Sequence, residues 1–334
     1  MGRMIDISEL DVHDGAALRA FYDVEVAAHA ADRAHPVDRT FPQLRQMARR
    51  PSAYYRRILL AAREGDRIVG TADLGLTQQD NLHLADLEVR VLPEARRRGI
   101  GTALHDEVVR RAHADGRTTF LGEVNQPSID EISGAISFAR RLGFRVVHQE
   151  DHLVLELPYP PERLASLPSG VEGYDIVTWS DRTPDELVDA YAAMLTQMGS
   201  DHPTGEVDHA PVVIDVARVR EGEKRLAESC LDVVAAGRRI SDGVFGGYTL
   251  MHLPHDEDFA VQDDTLVMPE HRGHGLGQAL KATVLRLLAE RHPERRVVHT
   301  WNAVDNAFMQ RINGELGFQR VELEVEMQRK DADG

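Results

Sequence analysis

Apolar and polar positions along this 334-residue chain pass through the same succession of periods twice. In the first pass, residues 4–7 predict a short strand and 16–31 an amphipathic helix. Residues 58–62 and 67–74 then predict a hairpin turning through Glu64, Gly65 and Asp66. In the run towards Val91, Leu82 and Leu84 share one parity and Leu87, Val89 and Val91 the other. A one-residue slip near Ala85, a β-bulge, would keep both sets on the buried face. Leu104, Val108 and Ala112 recur at helical spacing. A strand over 118–124, a helix over 134–141 stopping at Gly143, and strands over 145–148 and 153–157 close the pass.

Four prolines (Pro158, Pro160, Pro161, Pro168) then interrupt the pattern, so 159–173 is expected to be a linker without regular structure. The second pass predicts a strand over 174–179, helices over 184–198 and 218–228, and a hairpin from 232–236 and 243–251. A strand over 261–268, a helix carrying Leu276, Leu280, Val284 and Leu287, a strand over 297–301, a helix over 306–316 and a strand over 321–327 complete it. Matching order on both sides of the break implies two copies of one mixed α/β unit, residues 1–158 and 174–334, which suits the chain's length.

Each pass carries one short glycine-rich turn at the same place. The first reads Arg96-Arg97-Arg98-Gly99-Ile100-Gly101-Thr102, the second Arg272-Gly273-His274-Gly275-Leu276-Gly277-Gln278, both after a Pro-Glu turn and before a helix. Backbone amides freed by glycine at the positive end of a helix make a seat for a pyrophosphate. A dinucleotide fold needs a third glycine where these copies have Leu104 and Leu280, and a nucleotide P-loop needs a Lys that neither copy has.

The arrangement that remains is Arg-x-x-Gly-x-Gly after a bulged strand, followed by a helix ending in Leu-Gly-Phe at 142–144 and 316–318. It resembles the GNAT superfamily of acetyl-CoA-dependent N-acetyltransferases over nearly the whole chain. The resemblance implies two tandem domains, each a mostly antiparallel sheet flanked by helices. It implies acetyl-CoA as cosubstrate, held by both glycine turns, with the strand ends at Val91 and Val267 pairing with its pantetheine arm.

Within that resemblance the two halves differ. The Tyr that the family often uses as acid is replaced by Ala139 in the first half and Asn313 in the second. An Asn that often contacts the cofactor is matched by Asn306 but replaced by Ile132. The second half is therefore expected to be catalytic and the first degenerate. Asp264, or a water ordered by Gln262, is the candidate base, with Asp86 the counterpart if the first half works. Asp201, in a loop after the first helix, and Asn302, at a strand end, are candidates for binding the acceptor. The expected reaction is acetyl transfer to a primary amine of a small molecule; an acyl-CoA sensor and a protein-lysine acetyltransferase are the alternatives.

Charge and composition narrow the partners. A net charge of −16 argues against nucleic acid, whose binding needs clustered Lys and Arg. No apolar run reaches membrane-helix length, and a single cysteine, Cys230, suits a reducing cytosol. Cys230 is expected to be a buried structural thiol. His252 and His255 with Asp256 and Asp258 invite a metal reading, but they are expected to form a solvated loop, with no metal needed. His271 and His274 are expected to face solvent or phosphate.

Overall fold

The structure, a computed structural model, describes residues 5–50, 52–127 and 132–331. The first pass contains β1 (Asp6–Glu9), α1 (Gly15–Ala30), α2 (Phe41–Arg49), β2 (Tyr55–Glu64), β3 (Arg67–Thr77), β4 (Leu84–Val91), α3 (Ile100–Ala114), β5 (Thr119–Gln126), α4 (Gly134–Arg141) and β6 (Arg145–Glu156). The second contains α5 (Pro161–Ser166), β7 (Tyr174–Ser180), α6 (Val188–Asp201), α7 (Val216–Leu226), β8 (Cys230–Arg239), β9 (Phe245–Pro254), β10 (Phe259–Val267), α8 (Leu276–Arg291), β11 (Val297–Ala303), α9 (Ala307–Leu316) and β12 (Gln319–Lys330). The expectation at Met4 lies outside the described residues.

The chain forms two compact units, and neither is one unbroken stretch of sequence. One comprises Met1–Gln149, Thr204–Ala210 and Glu322–Gly334; the other comprises Glu150–Pro203 and Pro211–Val321. In the first unit the strand order is β1-β2-β3-β4-β5-β12, antiparallel throughout except for β4 with β5. In the second it is β6-β11-β10-β9-β8-β7, antiparallel except for β10 with β11. Each sheet is thus completed by a strand from the other pass: β12 supplies Leu323–Lys330 to β5, and β6 supplies Glu150–Glu156 to β11.

In the second unit the sheet lies between two apolar layers. Leu276, Leu280, Val284 and Leu288 of α8 pack with Val298, Met251 and Leu316 on one face. Tyr191 and Met194 of α6 pack with Val219, Trp179 and Tyr248 on the other. This is the helix-flanked mixed sheet that the periodicity implies.

Several local expectations are corrected. Pro161 starts a helix instead of preventing one, because a first-turn residue needs no N–H partner. The helix α2, absent from the sequence reading, is fixed by a capping box: Thr40 accepts from the Gln43 N–H and Gln43 accepts from the Thr40 N–H. Leu82 belongs to the turn before β4, and the β3–β4 register runs without a shift from Asp86 to Val91. In the second unit, the β9–β10 register shifts between Gln262 and Thr265. His252 lies in β9 rather than in a loop, paired across from Asp232.

The completed first sheet makes a testable demand. β12 contributes Leu323, Val325 and Met327, all essentially inaccessible. At roughly 1.5–3 kcal/mol per buried side chain, their loss is comparable to the ~5–15 kcal/mol that stabilises a domain. A fragment of residues 1–158 should therefore lack a cooperative thermal transition by circular dichroism. Co-expression with 159–334 should restore it; a fragment that melts cooperatively alone would refute the requirement for β12.

Candidate active site

The two glycine turns have the same local construction. Gly99 (φ 84°) and Gly275 (φ 79°) are left-handed and lead directly into α3 and α8. No side chain caps either helix, so the first-turn N–H groups are left for a ligand. A Cβ on Gly101 would stand 3.3 Å from the Phe138 ring, and one on Gly277 would stand 3.4 Å from Val267. Arg97 is also left-handed, at φ 60°, which folds the chain tightly before the seat.

The leading arginine of each motif does something other than cradle phosphate. Arg96 Nε donates to the Val91 carbonyl and Arg272 Nε to the Val267 carbonyl, both at 3.0 Å. Their guanidinium groups also pair with Asp32 and Asp201, at 2.7 and 2.6 Å. Each arginine therefore fastens a strand end to the C-terminal end of the unit's first long helix. Asp201 lies in α6, not in a loop, and Gln197 donates to its other oxygen at 2.7 Å. The structure does not support Asp201 as a free anchor for an amine. Arg98 pairs with Glu64.

In the first unit the seat opens into a cavity of about 1150 Å³. Gly99, Ile100, Gly101 and Thr102 form one part of its wall, and Leu87–Val91 of β4 another. The carboxylates of Glu88, Glu123 and Glu324 also line it. This follows from the strand geometry, because β4 and β5 pair only over Leu84–Asp86 with Thr119–Leu121. Ala139 of α4, at the position where the family often has Tyr, also lines the cavity and offers only a methyl group to narrow it.

The cavity's acids are electrostatically unequal. Burial pushes the Glu123 carboxyl well up, and Glu324, Glu88, Glu326 and Asp86 push it further. Glu326 stands directly across from Glu123 in the β5–β12 ladder. Glu88 resists burial because Arg90 and Arg39 hold its carboxyl below the usual range. Asp86 is raised, chiefly by burial, and accepts a hydrogen bond from Tyr55 at 2.7 Å. Glu123 was not singled out from sequence. Its like-charged partner is in β12, so only the strand pairing reveals the acidity of its surroundings.

In the second unit, side chains of α8, α9 and β11 form a buried hydrogen-bonded chain. Lys281 of α8 donates from Nζ to Asn313 Oδ1 at 2.8 Å, and Asn313 Nδ2 donates to Asn302 Oδ1 at 2.9 Å. All three residues are buried. Burial alone lowers the Lys281 ammonium to about 7. Asn302 and Asn313 thus belong to an internal polar chain. Asn306 is the N-cap of α9, accepting from the Met309 N–H at 3.1 Å.

The acids expected to serve as base separate at the β9–β10 register shift. Gln262 is buried and donates to Thr249 Oγ1 and the Leu250 carbonyl, at 2.9 and 2.7 Å. Both its donors are used to hold the strand. Asp264 accepts from the Tyr248 hydroxyl at 2.8 Å, and burial with the nearby Asp263 charge raises it to about 6. His271 is buried against the Tyr174 hydroxyl at 2.8 Å, contrary to the solvent-facing expectation. His274 lines a smaller recess with Tyr174, Arg239 and Glu270.

A model of the "Acetyltransferase (GNAT) family" matches residues 18–144 and 228–318, so both passes carry the family pattern. The chain belongs to the GNAT acetyltransferase family. It is an acyltransferase, and its family uses acetyl-CoA. Among relatives, a mycothiol acetyltransferase of Sanguibacter keddieii is 26% identical, with the match covering 97% of this chain and 98% of the relative. One of Kocuria rhizophila is 24% identical, covering 80% and 82%. A tandem GNAT protein from the clavulanic acid biosynthesis pathway superposes with a TM-score of 0.84 at 26% identity, covering 98% of each chain. A GCN5-related N-acetyltransferase from Sphaerobacter thermophilus, at 15% identity and a TM-score of 0.72, shares the fold. The GNAT seat of the first unit fits a CoA pyrophosphate on structural grounds: uncapped amides, two glycines without Cβ atoms and an adjoining cavity. Among the described residues no helix is long and apolar enough to cross a membrane.

Lys281 supplies a pH test of the buried polar chain in the second unit. Its ammonium has an ordinary value of 10.5 and is lowered to about 7 when folded. Between those values the unfolded chain holds the extra proton, so Lys281 makes stability rise with pH, by about 1.4 kcal/mol per pH unit at most. Lys281→Met should remove this component from denaturant-derived stabilities measured between pH 7 and 10. An unchanged slope would place the ammonium in contact with water.

Proposed function

We propose that the chain transfers an acetyl group from acetyl-CoA to a primary amine of a small, positively charged molecule, and that the first unit holds both reactants. The observation that carries this reading is the cavity joining the uncapped α3 amides to the Glu88, Glu123 and Glu324 carboxylates. These carboxylates offer hydrogen-bond partners for a cationic amine, arginines in the same lining suit the phosphates, and the cavity has room for a small acceptor. Two relatives are named for acetylation involving mycothiol, and the tandem structural relative comes from the clavulanic acid biosynthesis pathway. These names support the small-molecule class without selecting an acceptor. The reading departs from the expectation that the second half is catalytic, because Lys281, Asn313 and Asn302 are buried there and hydrogen-bonded to one another.

The amides of Ile100, Gly101 and Thr102 would hold the pyrophosphate, and the β4 edge from Leu87 to Val91 would align the pantetheine arm. Bound acetyl-CoA would supply an acetyl thioester whose thiol leaves as the amide forms. The protein's task is to orient the amine and remove its proton, since a free alkylamine has a pKa near ~10.4. Glu123, with its raised carboxyl, is the candidate base, and Glu88 stays ionised to hold the incoming cation. A tyrosine acid is unnecessary, because a thiol with a pKa of about 8.5 leaves readily.

A second reading places the chemistry in the second unit, and one observation favours it: Asp264, raised to about 6 beside Tyr248, is poised as a base. Two glycine substitutions separate the readings. Gly101→Val should weaken acetyl-CoA binding at least tenfold by calorimetry and abolish turnover, while Gly277→Val should retain most of both. The opposite result, with both variants folded by circular dichroism, would falsify the assignment to the first unit. Glu123→Gln should lower kcat by on the order of 10²-fold or more and leave acetyl-CoA affinity unchanged. Equal loss of affinity would show a binding role instead.

A further inference from the structure

Beyond the acyl-transfer site, the second unit holds a cluster that the reaction does not use. Cys230 and Asp232 are alternate residues of β8 and so share one face of the sheet. His252 of β9 is directly across from Asp232. The ligand atoms of Cys230, Asp232 and His252 all lie within 4.8 Å of one another, with Cys230 fully buried. His252 Nδ1 is 2.6 Å from Asp232 Oδ1, and His252 Nε2 is 3.1 Å from Asp263 Oδ2.

We propose that Cys230, Asp232 and His252 form a divalent metal site, with zinc as the preferred ion and Asp263 as the positioning residue for the histidine. A thiolate, an imidazole and a carboxylate are the donor set that zinc accepts, whereas calcium and magnesium want oxygen alone. Charge also balances, because one thiolate and one carboxylate neutralise the dication in a partly buried place. Bonds of about 2.0–2.3 Å place the ligands of a tetrahedral zinc roughly 3–4 Å apart. Small side-chain rotations would meet that spacing, exchanging the His252–Asp232 hydrogen bond for two bonds to the ion.

The contact to Asp263 supplies the feature that distinguishes this cluster from an ordinary buried thiol. A metal-bound imidazole commonly donates its other N–H to a carboxylate, which fixes its tautomer and direction. Asp263 stands at Nε2, leaving Nδ1 to face Asp232 and Cys230. Asp263 owes this position to the register shift between Gln262 and Thr265, which separates it from the buried Gln262. Its side chain is half exposed, at 49%, and gives the ion a route from solvent. The cluster shares no residue with the first unit's cavity, so its role would be to lock β8, β9 and β10 together.

Zinc titration of the metal-free, reduced full-length protein should show one tight equivalent by calorimetry and raise the melting temperature. Cobalt(II) in place of zinc should give a thiolate-to-metal charge-transfer band in the near ultraviolet. Cys230→Ser should remove that band, and Asp263→Asn should weaken binding about tenfold or more, through the histidine. Absence of a tight equivalent in the wild-type chain would overturn the proposal. So would cobalt binding without the thiolate band, or zinc affinity unchanged in Asp263→Asn. Those results would leave a histidine hydrogen-bonded between two carboxylates and no metal site. Because the band and the stoichiometry are read on wild-type protein, the test stands even where Cys230→Ser does not fold.

Discussion

Each unit depends on two parallel strands that pair for three residues and then part. Leu84–Asp86 run with Thr119–Leu121 in one unit, and Phe259–Val261 with Val297–His299 in the other. A parallel ladder that stops early leaves strand-edge groups wanting partners at the place where the following helix begins. The arginine of each motif stabilises that opening by bonding the last carbonyl of the strand, at Val91 and Val267, and pairing with an acid at a helix end. The glycine turn then aims a helix N-terminus at the same place. Anion seat and open strand edge are therefore one construction, and its duplication explains why both passes keep it.

What separates the units is the side chains set around a common frame. In the first unit, α4 and β5 present Ala139 and Glu123 to the cavity. In the second, α8, α9 and β11 present Lys281, Asn313 and Asn302, which hydrogen-bond one another in the interior. A buried amine is tolerable only when neutral or well partnered, and Lys281 meets that condition through a lowered pKa and one acceptor. A hydrogen bond of this kind contributes about 1 kcal/mol net, yet leaving Asn313 without its donor would cost about 1–3 kcal/mol. The buried polar chain is thus stabilised as a set, and no single side chain accounts for it.

Most of the frame was legible because its signals are local. Left-handed glycines before a helix, a Leu-Gly-Phe stop and alternating strand residues announce themselves within a few positions. Strand pairing does not: the pattern identifies β6 and β12 as strands but carries no mark of which sheet each completes. The misreadings follow from that gap. Asp201 looked like a loop acid until α6 brought it to Arg272. Asn306, read from sequence as a cofactor contact, is also the cap of α9, a role that a polar residue just before a helix commonly takes. Glu123 attracted no notice because its neighbours Glu324 and Glu326 are remote in sequence.

The cavity's carboxylates must bind an ammonium and then accept its proton. Identical carboxylates could not do both, since a group that stays ionised beside a cation is a weak base. The first unit resolves this by giving its acids different neighbours. Glu88 has Arg90 and Arg39, which keep it ionised, so it could accept a hydrogen bond from the ammonium without taking its proton. Glu123 is buried and has Glu324, Glu88, Glu326 and Asp86 as its strongest charged neighbours, so it gains most from taking up a proton. Arrival of the ammonium would lower the Glu123 carboxyl by simple attraction, and loss of the amine's proton would reverse that effect. Proton transfer is then favoured only while the acceptor is in place, which couples the base to its substrate without any moving part.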